Sequence, residues 1–380
     1  MSEKILRSSI DWLSFGAALA LALLGLLTMS SFTHGDPFFA KQIAWICTGV
    51  VAFFAASVID WRILRRSGVA ASIYIVMLIP LVALIFLGHS TQGAKSWFDI
   101  GPFALQPVEF VKLALIIALA KYFWRRHTEI RNIRHILVSG AYAGIVFLLV
   151  ALQPDFGSAL IIGTIWLGMV LISGISRWHL AAIFLISITV FSGLWFFGFR
   201  EYQKERILTF LHPLADVHGA GYNAYQSTVA VGSGELVGKG IGYGSQSKLR
   251  FLPEYQTDFI FAAFAEEWGF IGICIVFGLY GLLFFRIAYM ANRGATNFET
   301  LFGFGILFYF LAHFTLHVGI NMGLLPVTGT TIPFMSYGGS HLVIEFAALG
   351  MLSGMRRYSR AAPRAALSRE FSGGYDTVLR

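Results

Sequence analysis

The feature that most constrains this chain is a series of ten apolar runs, each long enough, or nearly so, to cross a bilayer core as a helix. Its composition agrees, since 57% hydrophobic residues and a mean hydropathy of +0.70 describe a chain that needs lipid as its solvent. The sequence therefore predicts an all-α polytopic membrane protein with a single integral membrane domain over residues 1–360. The runs begin near Leu13, Phe38, Gly68, Gln106, His135, Asp155, Trp178, Asp258, Thr300 and Pro333.

The distribution of Lys and Arg between the runs predicts the orientation. Alternate connections are rich in basic residues, and cytoplasmic connections carry such an excess. We therefore expect both termini in the cytoplasm, and a disordered cytoplasmic tail over residues 361–380. Most of the net charge of +8 then comes from the basic residues of the cytoplasmic connections, so it does not indicate that the protein binds nucleic acid. The basic residues assigned to the cytoplasmic side include Arg62, Arg65, Arg66, Lys121, Arg125, Arg126, Arg131, Arg134, Arg286, Arg293 and Arg356.

A polar stretch, Phe199–Thr257, separates the seventh and eighth runs and is predicted to be a long extracytoplasmic loop. Long loops among short ones are usually functional. The basic residues Arg206, Lys248 and Arg250 are candidates for binding an anionic group, with lipid headgroup contact as the alternative. The segment Gly232–Gly240 resembles a P-loop but lacks the Ser or Thr that should follow its Lys. A second interpretation of this segment stays open, in which a glycine-rich turn lets the backbone approach a pyrophosphate.

Glu109 and Lys112 form the clearest charged pair in an apolar run. Their i, i+3 spacing places both on one face of a helix that starts at Pro107. Charges in a membrane span are costly and usually paired or functional. Either the two charges form a structural ion pair in which each neutralises the other, or they line a polar cavity. The spacing alone favours the structural ion pair.

Two aspartates occupy helix starts. Asp155 and Asp258 each precede an apolar run, so helix capping is the simplest reading of both. Asp258 has a second reading, because it joins the long outer loop to a span and could act as an acid or base there. His313 and His317 have the i, i+4 spacing of a metal pair, but no third ligand is obvious. Polar helix packing is favoured for them, and no metal site is predicted.

Seven motifs, in order along nearly the whole chain, together resemble the SEDS family of bacterial cell-wall proteins. The segment Gly232–Gly240 and the short N-terminus are more similar to its elongation members than to its division members. The motifs are Gly93-Ala-Lys-Ser-Trp-Phe-Asp-Ile-Gly101, Gln106-Pro-Val-Glu-Phe-Val-Lys112, Gln153-Pro-Asp-Phe-Gly157, Arg206-Ile-Leu-Thr-Phe-Leu-His-Pro213, Gly219-Ala-Gly-Tyr-Asn-Ala-Tyr-Gln-Ser227, Leu252-Pro-Glu-Tyr-Gln-Thr-Asp-Phe-Ile-Phe261 and Pro333-Phe-Met-Ser-Tyr-Gly-Gly-Ser340.

The resemblance implies a ten-helix peptidoglycan glycosyltransferase that polymerises lipid II on the outer face of the bacterial cytoplasmic membrane. It implies a class B penicillin-binding protein as partner, together with the elongation machinery of MreB-associated proteins. By match to the family motifs, Asp258 is the expected catalytic carboxylate and Glu109 with Lys112 is a functional pair. Asp155 and Ser336 fall in matched motifs and are assigned to the substrate cavity.

In the reaction so implied, Asp258 takes a proton from the acceptor hydroxyl as it attacks the donor's anomeric carbon. Arg206, Lys248 and Arg250 would neutralise the departing pyrophosphate, directly or alongside a divalent cation such as Mg²⁺ or Mn²⁺. No other cofactor is expected.

Three positions depart from the usual family pattern and leave details of the cavity open, namely Val108, His341 and Glu345. Three alternatives to an elongation polymerase also stay open. A lipid II flippase would place charged groups inside a helical bundle, although its site belongs near the membrane midplane. A division paralogue would catalyse the same reaction, and a scaffold for the machinery would not need Asp258.

Overall fold

The computed structural model describes residues 10–31, 38–87, 89–91, 94–100, 103–125, 133–199, 201–212, 221–249 and 251–361. The described part is largely α-helical, as predicted. The helices are α1 (Trp12–Ser30), α2 (Phe38–Val58), α3 (Val69–Leu87), α4 (Pro107–Arg125), α5 (Ile133–Leu152), α6 (Phe156–Ile172), α7 (Arg177–Gly193), α8 (Glu201–Leu211), α9 (Tyr222–Ser233), α10 (Ser245–Lys248), α11 (Ile260–Asn292), α12 (Asn297–Asn321) and α13 (Gly339–Ala361). A 3₁₀ turn, Trp61–Arg65, follows α2, and a π-helical turn, Leu194–Gly198, continues α7.

Seven of the described helices are long and apolar enough to cross a membrane, namely α1, α2, α3, α5, α7 with its π-helical turn, α11 and α12. Helices α4, α6 and α13 occupy the remaining three predicted spans. The starts agree with the sequence to within about three residues except for the last. The sequence predicts the final helix from Pro333, but α13 begins at Gly339 because residues 333–336 form a turn and a bend and residues 337–338 are irregular. The predicted tail beyond residue 361 lies outside the described residues.

Helix α4 lies at the centre of the bundle and is buried along most of its length, packed against α3, α12 and α6. Helices α2 and α13 also pack closely. A Cβ atom added at Gly350 would lie 2.3 Å from the carbonyl oxygen of Phe53, so only glycine permits that approach. The packing of α4 against its neighbours and of α13 against α2 places the first turns of α4 and α13 in the interior of the bundle. The candidate site forms there.

A small antiparallel sheet lies between α3 and α4, where the sequence predicted only a short connection. Its strands are β1 (His89–Thr91), β2 (Ala94–Ile100) and β3 (Phe103–Leu105), in the order β1-β2-β3. Phe98 pairs with Leu105 in the β2–β3 register. The sheet leads directly into the start of α4.

The polar stretch 199–257, predicted as a loop, contains α8, α9 and α10. Its glycine-rich turn docks on a break in α11, where Gly269 adopts a φ of 64°. The backbone amides and carbonyls of α11 that lose their helical partners at this break need other hydrogen-bond partners. The glycine-rich turn provides these partners, so the amides of Lys239 and Gly240 are not available to a pyrophosphate. The bonds are Lys239 N to Glu266 O (2.9 Å), Gly240 N to Glu267 O (3.0 Å), Phe270 N to Glu235 O (2.9 Å) and Ile271 N to Leu236 O (3.1 Å).

Candidate active site

The predicted pair Glu109 and Lys112 forms a buried salt bridge in the first turn of α4. The Lys112 Nζ atom donates a hydrogen bond of 2.8 Å to Glu109 Oε1, and the two residues are 0% and 3% exposed, Lys112 being fully enclosed. The i, i+3 geometry expected from the sequence is therefore confirmed. Two ions in such a place need further polar partners.

Those partners come from α12 and α13. Tyr309 donates its hydroxyl proton to Glu109 Oε2 at 3.0 Å. The Nε2 atom of His313 lies 3.2 Å from Lys112 Nζ, and the Nδ1 atom of His341 lies 3.2 Å from Glu109 Oε2. With Glu345, which lies 2.8 Å from His341 Nε2, these six residues form what we call the charge cluster.

The charge cluster is not apparent from the sequence. There, His313 stands out only for its spacing to His317, and His341 and Glu345 only as departures from a family pattern. Tyr309 gave no signal, since an aromatic residue in an apolar helix is ordinary core. Spacing along one helix cannot reveal contacts between helices, which is why the set was missed.

Three members of the charge cluster are of residue types that bind divalent cations. Glu109, His313 and His341 each offer a ligand atom, and these atoms lie within 4.8 Å of one another. However, the Lys112 ammonium already contacts both Glu109 and His313, using lone pairs that a metal would need. The set fits an internal ammonium and not a divalent cation. His317 belongs elsewhere, because its Nδ1 atom lies 2.7 Å from the carbonyl of Thr330.

Asp258 lies two residues before the start of α11, where the polar stretch 199–257 meets this helix. The N-cap residue of α11 is Phe259. Among the described residues, no side chain accepts a capping hydrogen bond at this helix start, so the prediction that Asp258 caps the helix is wrong. Its carbonyl accepts a 2.9 Å hydrogen bond from Asn321, and its side chain faces Gly329, where an added Cβ would lie 3.5 Å from Asp258 Oδ2.

The surroundings of Asp258 change its acidity. Burial raises the pKa of its carboxyl group most, the charges of Glu254 and Asp155 also raise it, and Arg206 lowers it, so that the net pKa is about 7. A carboxyl group with a pKa near the working pH is suited to exchange protons.

Asp155 caps α6, as predicted, by accepting a 2.9 Å hydrogen bond from Ser158 N. Burial raises the pKa of its carboxyl group, and the charge of Lys112 opposes that increase. Asp155 therefore interacts electrostatically both with the charge cluster and with Asp258. The sequence placed it correctly and could not show this connection.

A pocket opens beside these carboxylates, between α8, the start of α6 and the segment after α12. Its lining includes Gln203, Arg206, Phe156, Phe199, Pro326 and Thr328. An apolar groove between α7 and α8 adjoins it, shares Ile207, and is lined by Phe191, Trp195 and Leu211. The two cavities together offer one end with Arg206, whose charge acts on Asp258, and one apolar end along Phe191 and Trp195.

The other predicted site residues have different outcomes. Ser336 is buried, and its hydroxyl donates to Thr257 O at 2.8 Å, which holds the peptide next to Asp258. Lys248 lies with its ammonium 5.8 Å from the ring of Tyr243 and does not line the pocket. Arg250 lies outside the described residues.

Fold and site together define a class of protein: a polytopic helical membrane protein with a buried charge cluster, a half-buried carboxylate and a pocket that contains a basic residue. Residues 5–361 match the family model of FtsW, RodA and SpoVE, described as cell cycle proteins. The chain belongs to this family, the SEDS family.

Named relatives are similar over most of the chain. The peptidoglycan glycosyltransferase MrdB of Escherichia coli K12 is 35% identical over 321 residues, covering 84% of this chain and 86% of that protein. A probable peptidoglycan glycosyltransferase FtsW of Thioalkalivibrio is 35% identical over 375 residues, covering 94% and 92%. Relatives of both kinds match, so identity does not separate elongation from division.

Solved structures show the same fold. One, reported for the structural coordination of polymerization and crosslinking by a peptidoglycan synthase complex, superposes with a TM-score of 0.79 at 29% identity, covering 92% of this chain and 98% of that chain. The rod shape determining protein RodA of Thermus thermophilus superposes with a TM-score of 0.69 at 27% identity, covering 92% and 97%. The predicted all-α polytopic fold is confirmed.

Proposed function

We propose that this protein is a peptidoglycan glycosyltransferase that polymerises lipid II, with Asp258 as general base. The observation that carries the proposal is the half-buried carboxyl group of Asp258, with its pKa raised to about 7, beside a pocket that contains Arg206. The names of the relatives supply the reaction class. The elongation role, rather than division, is part of the proposal and rests on the sequence resemblance.

The geometry suits a single displacement. Ionised Asp258 accepts the proton of the acceptor hydroxyl while that oxygen forms a bond to the anomeric carbon of the donor. The bond from that carbon to the pyrophosphate breaks, and the pyrophosphate leaves with the electron pair, so the configuration inverts. Arg206, which is close enough to lower the pKa of Asp258, neutralises the leaving group.

The pocket and groove supply places for the two ends of such a substrate. The polar end, near Arg206 and Gln203, suits a pyrophosphate, and the apolar groove along Phe191 and Trp195 suits a lipid chain. Glu109 and Lys112 are buried and are not among the described residues that line the pocket, and we propose that their charges act on the substrate cavity from its inner side. The fit of the charge cluster to an ammonium argues against a divalent cation at that position.

We also propose a class B penicillin-binding protein as partner, because the similar solved structure concerns a complex that coordinates polymerization and crosslinking. MreB-associated proteins and membrane lipids complete the proposed surroundings. The proposed location is the bacterial cytoplasmic membrane, with both termini in the cytoplasm and residues 199–257 outside.

The orientation is tested by thiol labelling after replacement of Cys47 and Cys274, both exposed. A cysteine at Tyr243, which is 73% exposed, should react with an impermeant reagent from outside, and a cysteine at Ala295 should react only after lysis. The reverse pattern would place the pocket on the cytoplasmic side.

The reaction is tested with purified protein and labelled lipid II, with glycan chains as the readout. We expect Asp258→Asn to abolish polymerisation while the protein stays folded. The control is Asp60→Asn, at an exposed carboxylate paired with Arg62 near the 3₁₀ turn, which should leave polymerisation intact. Near-normal synthesis by Asp258→Asn would contradict the base assignment.

The buried charge cluster favours one second candidate, a lipid II flippase, because charged groups inside a bundle are typical of transport pathways. Vesicles containing the protein and labelled lipid II distinguish the two. Movement of lipid II between leaflets without glycan synthesis would favour the flippase, whereas glycan synthesis favours the polymerase.

A further inference from the structure

His341 lies between two carboxylates. Its Nδ1 atom is 3.2 Å from Glu109 Oε2, and its Nε2 atom is 2.8 Å from Glu345 Oε1. Both distances are those of ion pairs, but neither contact has hydrogen-bond geometry, so the attraction of the ring to the two carboxylates is electrostatic and is strongest for a positively charged ring. The Thr331 hydroxyl also lies 2.8 Å from Nε2, so contact distances alone allow a neutral ring beside a protonated Glu345.

Charge balance separates these two arrangements. Lys112 and Glu109 already neutralise each other, so an ionised Glu345 requires one more positive charge in a region where His341 is 2% exposed and Glu345 is 0% exposed. His313 cannot supply it, because its Nε2 accepts from Lys112 while Nδ1 donates to Thr331 O at 3.1 Å.

The bonds of Glu345 favour its ionised form. Its second oxygen, Oε2, accepts a 2.7 Å hydrogen bond from the backbone amide of Phe334, a contact that a carboxylate makes more strongly than a neutral acid. Tyr309 adds no negative charge, since its hydroxyl donates its proton to Glu109. His341 is then the remaining group of the charge cluster that can balance Glu345.

The same contacts lead towards Asp258. Glu345 holds Phe334, two residues before Ser336, and Ser336 holds the carbonyl of Thr257, the neighbour of Asp258. A change in the position of His341 would therefore displace Glu109 on one side and the segment before α11 on the other.

We propose that His341 is a buried imidazolium that bridges Glu109 and Glu345, and that this bridge positions Glu109 and the segment holding Asp258. His341 and Glu345 are thus positioning residues, and this part rests on the proposed glycosyltransferase function. The charge state does not depend on it.

The charge state is tested by nitrogen NMR of the full-length protein in nanodiscs at pH 7, with labelled histidine and His341→Gln to assign the signal. We expect the signal of a ring protonated on both nitrogens. In Glu345→Gln, the Lys112–Glu109 pair is balanced without help, so the His341 ring should lose a proton and show a neutral tautomer. The control is Glu267→Gln, at a buried carboxyl on α11 that accepts from Gly242 N, and it should leave the signal unchanged.

A neutral His341 ring in the native protein would overturn the proposal, and so would an imidazolium that persists in Glu345→Gln. The native measurement stands even if a variant fails to fold. Because it needs no activity, a native protein that shows the imidazolium but makes no glycan would refute the proposed function alone.

The positioning role is tested by kinetics. We expect Glu345→Gln to lower kcat by about 10- to 100-fold, because misplacement of groups near the reacting atoms is costly, with KM within about twofold of native. His341→Gln alone leaves the Glu345 charge unbalanced, so the double variant His341→Gln with Glu345→Gln should be more stable to heat than His341→Gln while kcat stays low. Recovery of kcat with stability, or a loss confined to KM, would refute positioning.

Discussion

The hydroxyl of Ser336 donates a hydrogen bond of 2.8 Å to the carbonyl of Thr257, the residue before Asp258. The same hydroxyl oxygen accepts a 3.0 Å hydrogen bond from the amide of Ile332. A further backbone bond joins Tyr337 N to Gln256 O at 2.8 Å. The turns before α13 therefore fix the peptide that carries the proposed base, so activity should depend on residues that do not contact substrate.

Ser336→Ala should reduce both stability and kcat. It leaves the partly buried carbonyl of Thr257 and the buried amide of Ile332 without this partner, which costs up to about 1–3 kcal/mol per group, and it frees the peptide next to Asp258. The control is Ser353→Ala, whose buried hydroxyl oxygen accepts a 2.9 Å hydrogen bond from Asp11 N at the other end of α13. It should lower the melting temperature without lowering kcat. Equal kcat losses in both variants would reduce Ser336 to general structural support.

The dependence of the rate on pH should report Asp258. A base acts when ionised, so kcat/KM should rise through a midpoint near the pKa of about 7 and level off above it. Because Glu254 raises that pKa and Arg206 lowers it, Glu254→Gln should move the midpoint to lower pH and Arg206→Gln should move it to higher pH. Arg206→Gln should also lower the plateau of kcat/KM at high pH. The direction in which the midpoint moves is the result that tests the assignment of Asp258. Shifts in the same direction would show that another group titrates.

The sequence carried enough information for the helices and for the single-helix features of the site. Apolar length fixed the spans, and the i, i+3 spacing gave the Glu109–Lys112 pair, because both properties are local. Asp155 as a cap is local too. The contacts of Glu109 with Tyr309 and His341 arise from packing between helices distant in sequence, and no periodicity within one helix predicts them.

The missed secondary structure has a different origin. Polar stretch 199–257 lacks a strong apolar period, so α8 and α9 were read as loop. The glycines of residues 232–240 suggested a phosphate site, whereas their backbone satisfies the broken turn of α11 at Gly269. Such a role is visible only when both segments are in place.

The roles of Glu109 and Lys112 should separate in a double-mutant cycle. Glu109→Gln or Lys112→Met alone leaves an unbalanced buried charge and should cost about 3–5 kcal/mol of stability. The double variant should regain much of that stability, measured by thermal unfolding in detergent, yet stay inactive in glycan synthesis at equal protein concentration. The expected separation follows from the proposed cavity role of these charges. A double variant that recovers both properties would leave the pair a purely structural role.

The docking of the glycine-rich turn on α11 should depend on Gly238 more than on Gly240. Both have positive φ, 80° and 95°, so alanine strains either backbone by about 1–2 kcal/mol. At Gly238 an added Cβ would also lie 2.1 Å from the carbonyl oxygen of Glu267, whereas at Gly240 the nearest atom is a side-chain carbon of Tyr243 at 3.5 Å. Gly238→Ala should therefore lower the melting temperature further and expose the turn to protease. If Gly240→Ala is equally damaging, backbone strain alone accounts for the glycines and the close contact with the broken helix contributes nothing.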